Sequence, residues 1–221
     1  MSERDNIFRR VREALRVSAR APSCSLPSLE ELRSVLPVVS TVEDEQLAQF
    51  KINAAELRAD FKLVSDAFDL VTNLRALGKA EGWKKVATHD GGLSGLVSRT
   101  LDLPVLLTDS KFDKNELASC DAGITECDAL IAQTGSVLVT SRTAGGRALS
   151  CLPPHHVVIA RRGQVVPDLP AAFEFLQRKY PANYPSMISL ITGPSRTGDI
   201  ERILVLGAHG PKKLTIYIID K

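Results

Sequence analysis

The sequence predicts an α/β fold with a largely parallel sheet flanked by helices. Short apolar runs such as Val105–Leu107, Val137–Thr140 and His156–Ala160 do not alternate with polar residues. Runs of this kind are typical of strands buried on both faces, as in parallel sheets. Segments with helical periodicity separate the runs, and Gly and Pro mark the turns between them.

The first 40 residues are predicted to form an N-terminal helical extension ahead of the main domain. In Met1–Arg20 the apolar residues lie largely on one helical face and arginines cover the other. This helix would either pack on the domain as a lid or bind a partner protein. Ala21–Ser40 is rich in Pro and Ser and has no steady period, so we expect a linker. The α/β domain would span residues 41–221.

In the first half of the domain, Thr41 and Asp44 resemble a helix start with an acid in its first turn, and they predict a helix to about Arg58. Apolar runs and glycines define the elements that follow. In order, these are a strand at 61–64, a helix from 65 to between 78 and 82, a strand at 83–88, a short helix through 97 after Gly91-Gly92, and a strand at 105–107.

The second half continues the alternation. A strand at Ala122–Thr125 precedes a short predicted helix at Glu126–Ala132 and a turn at 134–136. The strand Val137–Thr140 follows that turn. The remaining predicted elements are a strand at 156–160, a helix at 169–179 and a strand at 213–219.

A strand–loop–helix unit is predicted near the end of the chain. The apolar run Met187–Thr192 stops at a Gly-Pro turn, and a helix with Asp199 and Glu201 in its first turn is expected to follow. The amides of such a loop and the dipole of the following helix suit an anion. The alternative is turn chemistry, with Arg196 paired to one of those acids. The ligand-binding residues predicted here are Gly193, Ser195, Arg196, Thr197 and Gly198.

The tripeptide Ser-Arg-Thr occurs a second time, directly after the strand Val137–Thr140. Two such loops at strand ends predict one ligand-binding edge, because open α/β sheets bind ligands at strand carboxyl ends. An arginine can hold a carboxylate in two parallel hydrogen bonds, so a small hydroxy acid, keto acid or phosphate would fit. The further ligand-binding residues predicted for this edge are Thr134, Gly135, Ser141, Arg142 and Arg147.

Three segments, 123–136, 193–201 and 206–211, carry a family resemblance. They resemble the lactate-utilization (LUD) domain family of the lactate utilization protein C type, and the resemblance covers most of the chain after about Val42. It implies a fold related to the CoA-transferase and ribose-5-phosphate-isomerase group. It also implies that the protein functions in an L-lactate oxidation system together with partner subunits that contain iron–sulphur clusters.

Two residues are candidates for catalysis. In the CoA-transferase relatives a glutamate acts as nucleophile, and by analogy Glu126 could do so here; its alternative role is that of an acid at a helix start. His209 lies between glycines before the last strand, where it could be a general acid–base or could satisfy a loop carbonyl.

The chain is predicted to hold no metal and no cofactor of its own. Its four cysteines, Cys24, Cys120, Cys127 and Cys151, show no Cys-x-x-Cys spacing, so free apolar thiols are favoured over an iron–sulphur or zinc site. His155 and His156 are adjacent on a strand and point to opposite faces. Dinucleotide and nucleoside-triphosphate loop motifs are missing from the sequence. Iron–sulphur clusters are therefore expected only in partner subunits.

Composition excludes other classes of function. A net charge of +2 and an aromatic content of 5% provide neither the basic field nor the stacking surface that nucleic-acid binding needs. No run approaches the roughly 20 apolar residues of a membrane span. The N-terminus does not resemble a signal peptide, and a cytoplasmic location is expected.

The sequence thus favours a non-redox subunit of an L-lactate-oxidizing system that binds a small anion and iron–sulphur partners. Whether the chain is itself an enzyme stays open. One alternative is an independent CoA-transferase-like or isomerase-like enzyme that acts on an acyl thioester or phosphosugar through Glu126. Another is a small-anion-binding module without catalysis.

Overall fold

The structure is a computed structural model that describes residues 2–16, 28–109, 111–197 and 205–220. The chain divides into two compact units, Met1–Leu36 and Pro37–Lys221.

The first unit contains the helices α1 (Glu3–Leu15) and α2 (Leu29–Val35). Each begins with a capping box, in which a serine at the N-cap and an acid three residues later bond each other's backbone amides. The helix predicted over the first 20 residues is present as α1, and residues 17–20 lie outside the described residues. The prediction of a linker to Ser40 was wrong at α2, because the Ser28–Glu31 box and its acidic first turn start a helix there.

The second unit alternates helices and strands, as predicted. Its helices are α3 (Glu43–Glu56), α4 (Ala67–Glu81), α5 (Gly92–Thr100), α6 (Lys114–Ala118) and α7 (Leu169–Lys179). The strands are β1 (Asp60–Val64), β2 (Val86–Thr88), β3 (Val105–Leu107), β4 (Ala122–Glu126), β5 (Ala129–Ile131), β6 (Ser136–Thr140), β7 (His155–Arg161), β8 (Val165–Val166), β9 (Ile188–Ile191), β10 (Arg196–Thr197), β11 (Val205–Leu206) and β12 (Lys213–Ile219). The short helix α6 was not predicted.

A six-stranded sheet of order β1-β12-β7-β4-β2-β3 forms the centre of this unit, and every neighbouring pair in it is parallel. This confirms the predicted α/β class with a parallel sheet flanked by helices. The central strands β4 and β7 are buried over almost their whole length, which explains why their sequences lack alternation.

Apolar cores cover both faces of the six-stranded sheet. On one face, α4 and α5 pack against β2, β4, β7 and β12 around Leu70, Leu74 and Val97. On the other face, α3 packs through Phe50 together with a second sheet. Helix α7 covers the far side of that second sheet through Leu176. The two faces around the central strands are therefore covered. Ligands can approach the sheet mainly at the two ends of its strands, which we call the amino edge and the carboxyl edge.

The second sheet has the order β8-β5-β6-β9 and contains antiparallel pairs. Strand β5 replaces the helix predicted at Glu126–Ala132. That prediction was wrong because Ala129–Ile131 is buried on both faces, and a short apolar run of this kind does not distinguish helix from strand. Gly135, with a φ of 64°, closes the tight turn between β5 and β6.

The helix predicted after Pro194 stays a prediction over most of its length. On either side of it, β10 pairs antiparallel with β11, a strand pair that was not predicted. Residues 198–204, including the expected first-turn acids Asp199 and Glu201, lie outside the described residues. None of the helices in the described part of the chain combines the length and apolar character that a bilayer span needs.

Candidate functional site

The six-stranded sheet has a topological switch point between β2 and β4. These strands are neighbours, but the chain leaves β2 through α5 toward β3 on one side and leaves β4 toward β7 on the other. Open α/β sheets bind ligands where connections diverge in this way, at the carboxyl ends of the two strands, and we call this region the carboxyl-edge crevice. His89 follows β2 directly, and Glu126 is the last residue of β4.

Glu126 is held at the first turn of α5. Its Oε1 accepts hydrogen bonds from the backbone amides of Leu93 at 2.8 Å and Ser94 at 3.1 Å, and from the Ser94 hydroxyl at 3.0 Å. These amides have no partner within the helix, so the carboxylate satisfies them and complements the helix dipole. Glu126 thus has its predicted alternative role of an acid at a helix start. The helix is α5, which precedes Glu126 in the chain, and not a helix that Glu126 itself begins. Among the described residues, no group donates to its other oxygen, Oε2.

His89 lies beside this carboxylate in a tightly packed position. Its Nε2 is 3.2 Å from the Ser94 hydroxyl and 3.5 Å from the amide nitrogen of Glu126. Burial lowers the pKa of His89, and the nearby carboxylates, Glu126 first, offset this only in part. A Cβ at Gly145 would lie 2.6 Å from the His89 Cβ, so this loop approaches the imidazole closely because it lacks a side chain there. The imidazole is therefore neutral and firmly held at neutral pH.

The loop after β6 carries two exposed arginines to the same edge. Arg142 donates to the Asn183 carbonyl at 3.0 Å, and Arg147 donates through Nε to the Ser186 hydroxyl at 3.2 Å. The Ser186 hydroxyl in turn lies 3.2 Å from that of Ser141. We call residues 141–147 the arginine loop. Its two guanidiniums, together with the hydroxyls of Ser141 and Ser186, form a positively charged, hydrogen-bonding rim.

Hydrogen bonds join the arginine loop to the residues that follow β2 and β3. The Thr108 hydroxyl, just beyond β3, donates to the Gly145 carbonyl at 2.8 Å, and His89 bonds the backbone of Thr143. The loop therefore spans from the ends of β2 and β3 to the end of β6.

The buried carboxylate of Asp128 also holds the arginine loop, through the Thr143 side chain. Asp128 Oδ2 accepts from the Thr143 hydroxyl at 2.6 Å, while Oδ1 accepts from Lys179 Nζ at 2.7 Å and the Tyr180 hydroxyl at 2.8 Å. Burial alone would raise the pKa of Asp128, but these three hydrogen bonds outweigh it and lower the pKa. Arg142 lies over the Tyr180 ring at 5.2 Å, so it packs directly on this network.

The two Ser-Arg-Thr segments do not share an edge, and that prediction was wrong. Strands β6 and β9 are antiparallel, with Thr140 opposite Ile188 and Val137 opposite Ile191. The loop after β6 and the loop after β9 consequently leave the sheet at opposite ends, separated by three residues of strand, about 10 Å. The prediction failed because it treated both strands as members of one parallel sheet.

The second segment lies at the amino edge of the six-stranded sheet, ahead of β1. The exposed Arg196 donates to the Leu57 carbonyl at the end of α3. Gly193 packs against the same residue, since a Cβ there would lie 2.8 Å from the Leu57 oxygen. Ser195 bonds backbone groups of Gly207 and Pro211. Thr197 is part of β10, and Gly198 lies outside the described residues.

Thr134 and Gly135 are also away from the crevice. They form the β5–β6 turn, where the Thr134 hydroxyl donates to that of Ser136 at 2.7 Å. A Cβ at Gly135 would lie 2.6 Å from the backbone nitrogen of Ala54, so the turn packs on α3. Of the ligand-binding residues predicted from sequence, the structure brings only Ser141, Arg142 and Arg147 together at the carboxyl edge.

The two predicted catalytic residues lie at opposite edges of the parallel sheet. Glu126 ends β4, whereas the exposed His209 lies in the loop just before β12 begins at Lys213. They do not form one catalytic group.

The cysteines within the described residues are dispersed. Cys120 and Cys127 are buried, and burial raises the pKa of both thiols, while Cys151 is exposed and Cys24 lies outside the described residues. His155 and His156 bond the hydroxyls of Thr215 and Thr125, at 2.8 and 2.9 Å. Within the described ranges, no group of three or more His, Cys, Asp or Glu side chains could hold a metal ion.

Several residues of the crevice were not identified from the sequence, namely His89, Ser94, Asp128, Lys179 and Tyr180. A signal did exist for the first of these, because His89-Asp90-Gly91-Gly92 stands between a predicted strand and a predicted helix. Asp128 has no such signal, since its partners Lys179 and Tyr180 are distant in sequence and come together only in the folded chain.

Comparison with known proteins is consistent with this architecture. The profile of the LUD domain matches residues 47–219. The chain belongs to the LUD domain family. Lactate utilization protein C of Shouchella clausii is 29% identical over 187 residues, covering 80% of each chain. Lactate utilization protein C of Bacillus velezensis is 25% identical over 236 residues, covering 100% of this LUD domain protein and 97% of the relative.

A solved structure shows the same fold. A crystal structure of a DUF162 family protein from Deinococcus radiodurans aligns with a TM-score of 0.64 and 23% identity. The alignment covers 81% of this LUD domain protein and 99% of that chain.

Proposed function

We propose that this LUD domain protein is a non-redox component of an L-lactate utilization system and binds a small carboxylate at the arginine loop. Relatives that cover most or all of the chain are named lactate utilization protein C, which supports the process. The family resemblance supports partner subunits that hold the iron–sulphur clusters.

The observation that carries the ligand part of the proposal is the position of the arginine loop. Arg142 and Arg147 lie beside the carboxyl-edge crevice, with the hydroxyls of Ser141 and Ser186 between them. Either guanidinium can bind a carboxylate in two parallel hydrogen bonds, which fixes orientation as well as charge.

In this proposal the chain binds and orients the acid, and electrons pass to a partner subunit. The carboxylate would be neutralised at the rim by an arginine, and the hydroxyl-bearing carbon would face the partner that completes the site. A small acid such as lactate has few atoms, so a charged clamp must supply most of its affinity.

Calorimetry tests the ligand site. L-lactate, pyruvate and inorganic phosphate are titrated into the wild type and the variants Arg142→Ala, Arg147→Ala and Arg196→Ala. The loss of a charged hydrogen-bonding partner should cost about 1.5–3 kcal/mol of binding free energy in the first two variants. Arg196→Ala is the matched control and should bind as the wild type does. Loss of binding in Arg196→Ala alone would move the site to the amino edge and contradict the proposal.

The biological part is tested in cells. Deletion of the gene should abolish growth on L-lactate, and an affinity-tagged chain should co-purify with subunits that carry iron–sulphur clusters. Normal growth of the deletion strain on lactate would exclude the proposed process.

A second candidate, acyl-transfer or isomerase chemistry through Glu126, is favoured by one observation. Its Oε1 is fixed by three donors, whereas Oε2 has no described partner and could face a substrate. Glu126→Gln keeps an acceptor for the α5 amides, so the variant should fold. Trapping of a covalent Glu126 intermediate with hydroxylamine, lost in Glu126→Gln, would support this candidate over the first.

A further inference from the structure

A cavity of about 470 Å³ lies at the amino edge of the parallel sheet, at the end of β2 and β3 opposite to the arginine loop. One wall is a stripe of α4 and the other is the turn that joins α5 to β3. Its lining residues are Arg75, Gly78, Lys79, Gly82, Trp83, Leu101, Asp102 and Leu103. The volume falls within the range of about 300–1,000 Å³ that is usual for small-molecule sites.

The α4 wall is built so that the indole can lie against the helix backbone. Gly78 is inside the helix, where glycine costs about 1 kcal/mol relative to alanine. A Cβ at Gly78 would lie 3.0 Å from the Trp83 ring, which is tighter than most real contacts. Arg75, Gly78, Lys79 and Gly82 recur at the three- and four-residue spacing of one helical face, so the wall is continuous.

The lining is apolar inside and positively charged at the mouth. Trp83 and Leu101 are each only 7% exposed. Arg75 is paired with Asp102 at 3.2 Å, so those two charges compensate each other. Lys79 has no carboxylate within ion-pair distance among the described residues, which leaves the mouth with one uncompensated positive charge.

We propose that this cavity binds a small monoanion with an aromatic or similarly compact apolar body. The apolar body would lie against Trp83, Leu101 and Leu103, and the anionic group would meet the Lys79 ammonium. A two- or three-carbon acid would leave most of the 470 Å³ empty, so the apolar body contributes much of the binding. This site is separate from the proposed lactate site and does not depend on it.

The chain contains a single tryptophan, so fluorescence excited at the indole reports on the surroundings of Trp83. Trp83 also lines a second cavity beside His155 and Lys213, and Lys79→Gln distinguishes the two because Lys79 does not line the second. The probe is 3-phenylpropionate, with its neutral amide and propionate as matched ligands that lack the charge or the ring. Titrations are done at one fixed pH, because the His155 ring lies 5.3 Å from the indole and its charge state would alter the emission. Calorimetry on the same samples detects binding that leaves the emission unchanged.

The proposal predicts saturable binding of 3-phenylpropionate to the wild type. Affinity should fall about tenfold or more in Lys79→Gln and for the neutral amide, as expected for the loss of a charge-assisted contact. Lys84→Gln removes an equal charge outside the cavity and should bind as the wild type does. Absence of saturable binding up to about 10 mM, a range that covers very weak affinities, would overturn the proposal. Equal affinity of wild type and Lys79→Gln would overturn it as well.

Discussion

The same tripeptide, Ser-Arg-Thr, occurs at 141–143 and at 195–197, and the fold uses the two copies in different ways. In the first copy, Thr143 is fastened by the buried Asp128, and Arg142 remains exposed at the edge of the crevice. In the second copy, the guanidinium of Arg196 donates to the carbonyl of Leu57, the C-cap residue of α3. Both guanidiniums donate to a backbone carbonyl, Arg142 to that of Asn183 and Arg196 to that of Leu57, so the two copies differ in what else surrounds them.

The difference arises from what surrounds each segment. The first copy lies beside the switch point of the parallel sheet, at the carboxyl ends of β2 and β3. The second lies at the amino edge, where the end of α3 presents carbonyls with no partner within the helix. A cation stabilises such a helix end whatever else it binds.

The largest expected effect on stability comes from removing the Asp128 carboxylate, which holds Thr143 of the first copy. Asp128→Asn should lower the free energy of unfolding by about 3 kcal/mol, because a buried ion pair loses one partner. The value lies at the low end of the usual range, since the Lys179 side chain remains 40% exposed and can be hydrated. Urea denaturation at pH 7 measures it.

The matched control for this variant is Asp44→Asn. Asp44 contacts Arg162, but its side chain is 78% exposed. Its loss should cost less than about 1 kcal/mol, as for other surface pairs. Equal costs for the two variants would show that the Asp128 network contributes no more than a surface ion pair.

A second, smaller effect is pH dependent and should be strongest in the first copy, because His89 is the buried histidine that bonds this loop, whereas His155 and His156 bond other strands. Because burial lowers the pKa of His89, the unfolded chain binds a proton near pH 6.5 that the folded chain does not. The stabilisation is complete above pH 6.5 and is lost as the pH falls toward the folded pKa, by up to about 1.4 kcal/mol per pH unit. Since His89 packs on the arginine loop, acid should open residues 142–146 before 195–196.

Hydrogen exchange, corrected for the intrinsic rate at each pH, measures this difference. Protection of 142–146 should fall between pH 7.5 and 5 in the wild type and should be nearly independent of pH in His89→Gln. If the two segments lost protection together, the acid effect would be global and the comparison would not hold.

The smallest effect concerns the second copy. Arg196→Ala should lower the free energy of unfolding by about 0.5–1 kcal/mol, the usual value of a cation at a helix end. Arg142→Ala should show a similarly small loss of stability, because Arg142 also donates to a backbone carbonyl and packs on the Tyr180 ring, but it should in addition lose ligand binding. Unchanged ligand binding in Arg142→Ala, measured by calorimetry, would remove the distinction between a ligand-binding and a structural arginine.

Much of the fold could be predicted because its signals are local. The predicted boundaries of α7 and β12 match the structure, and the runs at β4, β6 and β7 were identified because strands buried on both faces lack alternation. The predictions failed at β5, where three apolar residues fit either a strand or a helix, and they did not include the antiparallel pair β10–β11. Pairing partners are far apart in sequence, so local patterns do not specify them.

The sequence by itself determined the α/β class, the family and the residue types that a small anion would need. Only the tertiary structure decided which of those residues meet. The direction of β9 against β6 placed the two arginine segments at opposite ends, and the approach of Lys179 and Tyr180 to Asp128 created a network that no local pattern predicts. The physical reason is that propensity and periodicity act over a few residues, whereas a site is assembled by packing between distant ones.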